Sequence, residues 1–169
     1  FNDGFSYVGG NPEGDITVVE FMDYRCGYCK RAHTAVEELI KADGNIRFIV
    51  KEFPVLGEAS EMASAFAVAV KQLHGDAAYK ATHDTLLTFN GDINEKTLRR
   101  LATILGHDDQ AVLDQMNQES VMKEIAETRL LAARLQINGT PTFVFDDELV
   151  RGAVSLETMT SLVAAKRQD

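Results

Sequence analysis

The chain has 169 residues, 45% hydrophobic and 25% charged, with 17 Lys and Arg against 26 Asp and Glu for a formal charge of −9. That length suits one domain, or one domain carrying an insertion, with room for a sizeable core, and the composition is ordinary for a globular protein. The acidic balance with no basic run argues against nucleic acid as a partner, and no apolar stretch approaches the roughly 18 residues that span a bilayer.

The chain opens Phe1-Asn2-Asp3-Gly4, with no initiator Met and no signal peptide, so a processed or trimmed N-terminus is expected. Residues 1–14 are rich in Gly, Asn and Asp, and the apolar interruption from Phe5 to Val8 predicts a brief edge strand. Ile16 to Met22 is a short apolar run rich in β-branched residues, which predicts a buried strand. Ala32, Val36, Leu39 and Ile40 then recur at helical spacing until Asp43-Gly44-Asn45 stops the helix. Ile46 to Phe53 predicts a second strand, closed by Pro54. Strand, helix, strand is the βαβ unit, so these two strands should be parallel with a right-handed crossover.

The middle of the chain changes character. Ala59, Met62, Phe66, Val70 and Leu73 form one helical stripe, and Tyr79 to Phe89 continues as a second helix. Leu98, Leu101, Ala102 and Leu105 mark a third, with Asn94 as N-cap and Gly106 as its end. A short helix around Ala111 to Met116 follows, then a long one carrying Val121, Ile125, Thr128, Ala132 and Leu135. Strands return after Gly139-Thr140-Pro141: Thr142 to Phe145, a turn at Asp146-Asp147, and Glu148 to Arg151 as hairpin partner. Ser155 caps a last helix bearing Leu156, Met159 and Val163 on one face. The sum is an α/β protein, βαβ then helices then ββα. That is a thioredoxin-like fold over residues 1–56 and 137–169, with an α-helical domain inserted at 57–136.

Cys26 and Cys29, in Cys-Gly-Tyr-Cys, are the only cysteines. Chance gives that spacing in roughly one pairing in a hundred. A strand that feeds Cys-x-x-Cys into the first turn of a helix aims unpaired amides and the positive end of the helix dipole at the first sulfur. Both favour thiolate, the attacking species in disulfide exchange. A purely structural disulfide closing so short a loop would add little stability, because closure entropy grows with the residues enclosed. The pair therefore reads as redox-active. Arg25, Lys30 and Arg31 add positive charge, and Tyr28 stands where it would tune the thiol and meet substrate.

Glu20 is a carboxyl on an otherwise apolar strand, which is costly unless it handles protons or finds a partner, and Lys51 is a weak candidate for that partner. Cys26, Cys29 and His33 fall on one helical face, where sulfur and imidazole could hold copper or zinc. No fourth ligand has recognisable spacing, so an ordinary surface histidine is the simpler reading. His74, His83 and His107 are expected to be solvated or at the core's edge.

Val18-Val19-Glu20-Phe21, Cys26-Gly27-Tyr28-Cys29, Lys51-Glu52-Phe53-Pro54 and Gly139-Thr140-Pro141-Thr142-Phe143 together resemble the DsbA family of thiol–disulfide oxidoreductases, over nearly the whole chain. The resemblance implies that Cys26 is the surface-exposed nucleophile and Cys29 the buried resolving thiol. It implies a cis Pro141 facing the pair, Thr140 touching the bound polypeptide, and Glu20 as the acidic residue beneath the site. It also implies disulfide donation to exported, unfolded cysteine-bearing polypeptides, with no organic cofactor. A membrane redox protein would recycle the pair, in a bacterial periplasm or cell envelope. The best-known member has His where Tyr28 stands and a bulky aliphatic where Thr140 stands. Those departures imply weaker oxidising character, and Thr140 matches isomerase-type relatives. A periplasmic isomerase or reductase is thus the alternative enzyme, and a copper or zinc carrier using Cys26, Cys29 and His33 the alternative of another class.

Overall fold

The computed structural model describes residues 1–168, so Asp169, the last residue of the second thioredoxin-like segment, lies outside the described residues. The strands are β1 (Tyr7–Gly10), β2 (Ile16–Met22), β3 (Ile46–Glu52), β4 (Thr142–Phe145) and β5 (Glu148–Arg151). The helices are α1 (Gly27–Asp43), α2 (Glu58–His74), α3 (Asp76–Thr88), α4 (Glu95–Ile104), α5 (Asp109–Met116), α6 (Glu119–Arg134) and α7 (Leu156–Lys166). One sheet of order β1-β3-β2-β4-β5 results, with β2 and β3 parallel across α1 and the other neighbours antiparallel. The parallel pair is the βαβ unit expected from the two apolar runs.

Alternation along β2 and β3 assigns each residue to a face. Ile16, Val18 and Met22, with Ile46, Phe48 and Val50, join the core that includes Cys29, Ala32, Val36 and Leu39 of α1. Val19, Phe21 and Ile49 point the other way, into a smaller cluster with Ala132 and Ile137. By the same parity Glu20 and Glu52 lie on the α1 face, and Lys51 on the opposite one.

The larger core continues without a break into the helices between β3 and β4, through Phe66, Val70, Leu86, Leu98 and Val112. The apolar stripe of α2 is broader than its spacing predicts: Ala63 through Val70 are all buried, whereas Leu73 is exposed. A helix covered on several sides loses its single-stripe pattern. Asn94 and Ser155 cap α4 and α7 as their sequence positions predict, accepting from Thr97 N and Thr158 N at 3.0 and 3.1 Å. Gly44 ends α1 at φ +72, and its N–H returns to Ile40 O at 3.1 Å.

The edge strand begins two residues later than Phe5. The Asp3 carboxylate accepts from Phe5 N and Ser6 N at 3.1 and 2.9 Å, which curls those residues into a turn before β1 starts. Only Gly fits at position 10, where φ is +66 and a Cβ would come within 2.4 Å of the Ile46 carbonyl oxygen.

Candidate active site

The redox pair sits where β2 runs out and α1 begins. Cys26 is the N-cap residue of α1, and its N–H donates to the Asp23 carbonyl at 3.0 Å. Asp23 is fully buried. Its carboxylate accepts from Arg25 N (2.7 Å), Val55 N (2.8 Å), Leu56 N (3.1 Å) and Ser60 Oγ (2.8 Å). One side chain thus ties the segment before Cys26 to the loop before α2 and to α2 itself. Such a carboxylate accepts bonds from amides that are partly shielded from water and would otherwise lack a protein partner.

Both sulfurs are free thiols. Cys29 is wholly inaccessible, and burial first, then the nearby Glu20 carboxylate, pushes its thiol well above the ordinary range. Cys26 is the outer of the two, but it is only 6% exposed, not the open surface residue its family resemblance implies. The reason is the loop opposite. The Thr140–Pro141 bond is cis, Pro141 is buried, and the Thr140 carbonyl accepts from Cys26 Sγ at 3.2 Å. Gly27 and Tyr28 remain exposed between the cysteines, Tyr28 at 60%.

Glu20 is 3% exposed, on the α1 face below Cys29, and it enters no side-chain hydrogen bond among the described residues. Burial, helped by the carboxylates of Glu37 and Glu52, lifts it to about 8, so it holds its proton at neutral pH. Lys51 is not its partner. Strand parity sends the Lys51 ammonium to the other face, where it is fully buried and bonds Asp3, Ser6 Oγ at 3.0 Å and the Phe1 carbonyl at 3.2 Å.

A second carboxyl on the α1 face was not singled out from the sequence. Glu52 accepts from Tyr24 Oη (2.7 Å), Tyr79 Oη (2.5 Å) and Ser64 Oγ (2.7 Å), and burial raises it to about 7 against those three donors. Tyr24 Oη also lies 3.0 Å from His83 Nδ1, so one phenol joins Glu52 to an imidazole. His83 is buried, not solvated or at the core's edge, and burial lowers it to about 3, which keeps the ring neutral. Its position is set by the packing of α3 on α1, which helical spacing alone does not specify. Glu52 did leave a sequence signal. Like Glu20, it stands at an α1-facing position of an apolar strand.

His33 turns away from the sulfurs: Nε2 is 3.3 Å from Asp84 Oδ1, and the ring meets His83 edge-on. Among the described residues, the His, Cys, Asp and Glu side chains grouped closely enough for a metal are His33, His83 and Asp84. Neither cysteine belongs to that group, so the Cys26, Cys29, His33 metal reading has no support. His74 and His107 stack on each other at 4.3 Å.

The charge around the pair is positive. Every helix except α1 has a carboxylate in its first turn, and α1 has none there. Arg31 lies over the Tyr28 ring at 4.3 Å, and Lys30 donates to the Phe89 carbonyl. The positive end of the α1 dipole is thereby left for an anion at the cysteines.

The family described as "DSBA-like thioredoxin domain" matches residues 17–164. The fold superposes on a thioredoxin-like oxidoreductase from Silicibacter pomeroyi with a TM-score of 0.93 and 40% identity, covering 99% of this chain and 95% of that one. It superposes on the thiol-disulfide exchange protein alpha-DsbA2 of Wolbachia pipientis with a TM-score of 0.89 and 29% identity, covering 96% and 88%. A Na(+)/H(+) antiporter NhaA 1 from Salinispora arenicola is 29% identical over 159 residues, 94% of this chain but 24% of the antiporter. The chain thus spans about a quarter of the length of such curated relatives.

Proposed function

The chain belongs to the DSBA-like thioredoxin domain family, and from that membership we propose that it is a thiol–disulfide oxidoreductase that gives disulfides to exported polypeptides through Cys26 and Cys29. The observation that carries the reading is the asymmetry of the pair. Cys26 is the outer sulfur, at the positive end of α1 and against the Thr140 carbonyl, whereas Cys29 is sealed in and held as a thiol by burial.

The chemistry follows from that asymmetry. In the oxidised protein a substrate thiolate attacks Cys26 Sγ. The substrate–Cys26 bond forms as the Cys26–Cys29 bond breaks, and Cys29 leaves with the electron pair. Protonated Glu20 supplies its proton without opening the site to water. A second substrate thiolate then attacks the substrate sulfur of the mixed disulfide and expels Cys26 as thiolate. The substrate has lost two electrons and gained a disulfide, and the protein holds a dithiol. The sulfur pair carries the electrons, so the reaction needs no organic cofactor. Asp23 is a positioning residue here, since it anchors the segment that carries Cys26.

Such work belongs in an oxidising compartment, a bacterial periplasm or cell envelope. The partners are unfolded polypeptides with cysteines and a membrane redox protein that restores the Cys26–Cys29 disulfide. Antiport is not carried over from the longer relatives, which this chain matches over about a quarter of their length.

Cys26→Ser should abolish oxidation of a reduced, unfolded substrate, and Cys29→Ser should accumulate mixed disulfides visible on a non-reducing gel. Full activity in Cys26→Ser would remove Cys26 as the nucleophile. The direction of exchange is read from the reduction potential against glutathione. A value near about −120 mV marks a disulfide donor, near about −180 mV an isomerase and near about −270 mV a reductase. Thr140 before the proline is the feature that favours the isomerase outcome.

A further inference from the structure

Three cations flank the redox motif, and among the described residues none has a carboxylate partner. Arg25 precedes Cys26 and is exposed; burial first, and then the nearby Arg25 charge, weakens the hold of Lys30 on its proton. The Arg31 guanidinium covers Tyr28, and its Nη1 stands 3.6 Å from where a Cβ on Gly27 would be. No Asp or Glu comes within ion-pair distance of Arg25, Lys30 or Arg31 among the described residues, although the protein carries nine more acidic than basic side chains. Asp23, two residues before Arg25, spends its carboxylate on four internal hydrogen bonds. Arg25 and Lys30 also line a cleft of about 250 Å³ beside the cysteines, walled by Tyr24, Leu86 and Phe89, with Asp92 as its acidic member. In an acidic protein, like charges held together without counterions raise the energy of the empty site, and an incoming anion lowers it.

We propose that Arg25, Lys30 and Arg31 form a substrate subsite for carboxylates that flank the reacting cysteine of a polypeptide. The inference rests on the disulfide exchange proposed above and names the substrate class. A segment with Asp or Glu one to three residues from its cysteine places its thiolate at Cys26 Sγ and its carboxylates on Arg31 over the motif and on Arg25 and Lys30 at the cleft. The net charge of the chain is −9, which disfavours such a segment docked away from the cations of the motif.

The simpler reading is that the cations only assist the Cys26 thiolate. A comparison of peptides separates the two, because assistance to the thiolate speeds all substrates alike. Three reduced pentapeptides, Gly-Glu-Cys-Glu-Gly, Gly-Ser-Cys-Ser-Gly and Gly-Lys-Cys-Lys-Gly, are reacted with the oxidised full chain. Each rate is divided by that peptide's own rate with neutral 2-hydroxyethyl disulfide, which removes differences in peptide thiol reactivity.

At about 20 mM ionic strength the normalised Glu-to-Lys ratio should be about tenfold or more, and it should collapse toward one at about 0.5 M salt. The double variant Arg25→Gln, Arg31→Gln should lower that ratio at least about threefold, and Asp92→Asn should raise it about twofold. Lys41→Gln, which removes an exposed cation in the last turn of α1, at the opposite end of that helix from Cys26, should leave it unchanged. A normalised ratio near one in the native protein overturns the subsite while leaving disulfide exchange intact. So does a ratio that Arg25→Gln, Arg31→Gln does not move, or one that Lys41→Gln moves equally. Failure of all three peptides to reduce the protein overturns the exchange reading and the subsite with it.

Discussion

Replacing Glu20 by Gln removes the buried carboxyl beneath Cys29 while keeping its shape. Burial lifts Glu20 from the ordinary 4.5 of a glutamate to about 8. The folded protein therefore keeps this proton at pH values where the unfolded chain has released it. Protons bound are then greater in the native state, so stability falls as pH rises. The loss begins above about 4.5, the unfolded value, and is complete above about 8, the folded one. At about 1.36 kcal/mol per unit, ionised Glu20 costs the reduced protein up to about 5 kcal/mol at pH 9. At pH 5 the carboxyl is protonated and Gln is its near equivalent. Urea unfolding of the reduced proteins, followed by far-UV circular dichroism since the chain has no Trp, should show Glu20→Gln within about 1 kcal/mol of the parent at pH 5. The variant should gain a lead of several kcal/mol by pH 9. A stability difference that is the same at both pH values would refute the buried, proton-holding Glu20. The same variant should also slow exchange at neutral pH, because the leaving Cys29 thiolate loses its internal acid.

Asp23→Ala leaves three part-buried amides and the buried Ser60 hydroxyl without their acceptor, and it should lower stability by about 2 kcal/mol, read from the urea midpoint. Exchange should slow in parallel, since the chain before Cys26 loses its anchor. Tyr24→Phe deletes the hydroxyl shared by Glu52 and His83 while keeping the ring, at a cost of about 2 kcal/mol; a change below about 0.5 kcal/mol would mean the network contributes nothing. Gly10→Ala meets both a positive φ and the Ile46 carbonyl, so it should destabilise by about 3 kcal/mol, against about 1 kcal/mol for Gly44→Ala, where φ is equally positive but the space is open.

Much of this protein can be read along the chain because its signals are local. Two apolar runs around a helical repeat dictate the βαβ unit, and Asn94, Ser155 and Gly44 mark helix ends through bonds to their own neighbours. The two cysteines declare themselves by spacing and by their place before a helix. Glu20 stands out as a charge in an apolar strand.

What the chain order leaves open is how separate segments meet. Lys51 and Glu52 are adjacent in sequence, yet the two-residue period of a strand sends one to Asp3 and the other to Tyr24 and Tyr79. Cys26 looks like an exposed nucleophile until the loop bearing Thr140, 114 positions away, closes over it. His83 is one more histidine on an amphipathic helix until α3 packs against α1 and buries it on Tyr24. Periodicity, caps and the reactive motif are determined by residues within a turn or two of each other, so the sequence by itself determines them. Burial, hydrogen-bond partners and proton affinities depend on distances between remote segments, and only the tertiary structure decides those.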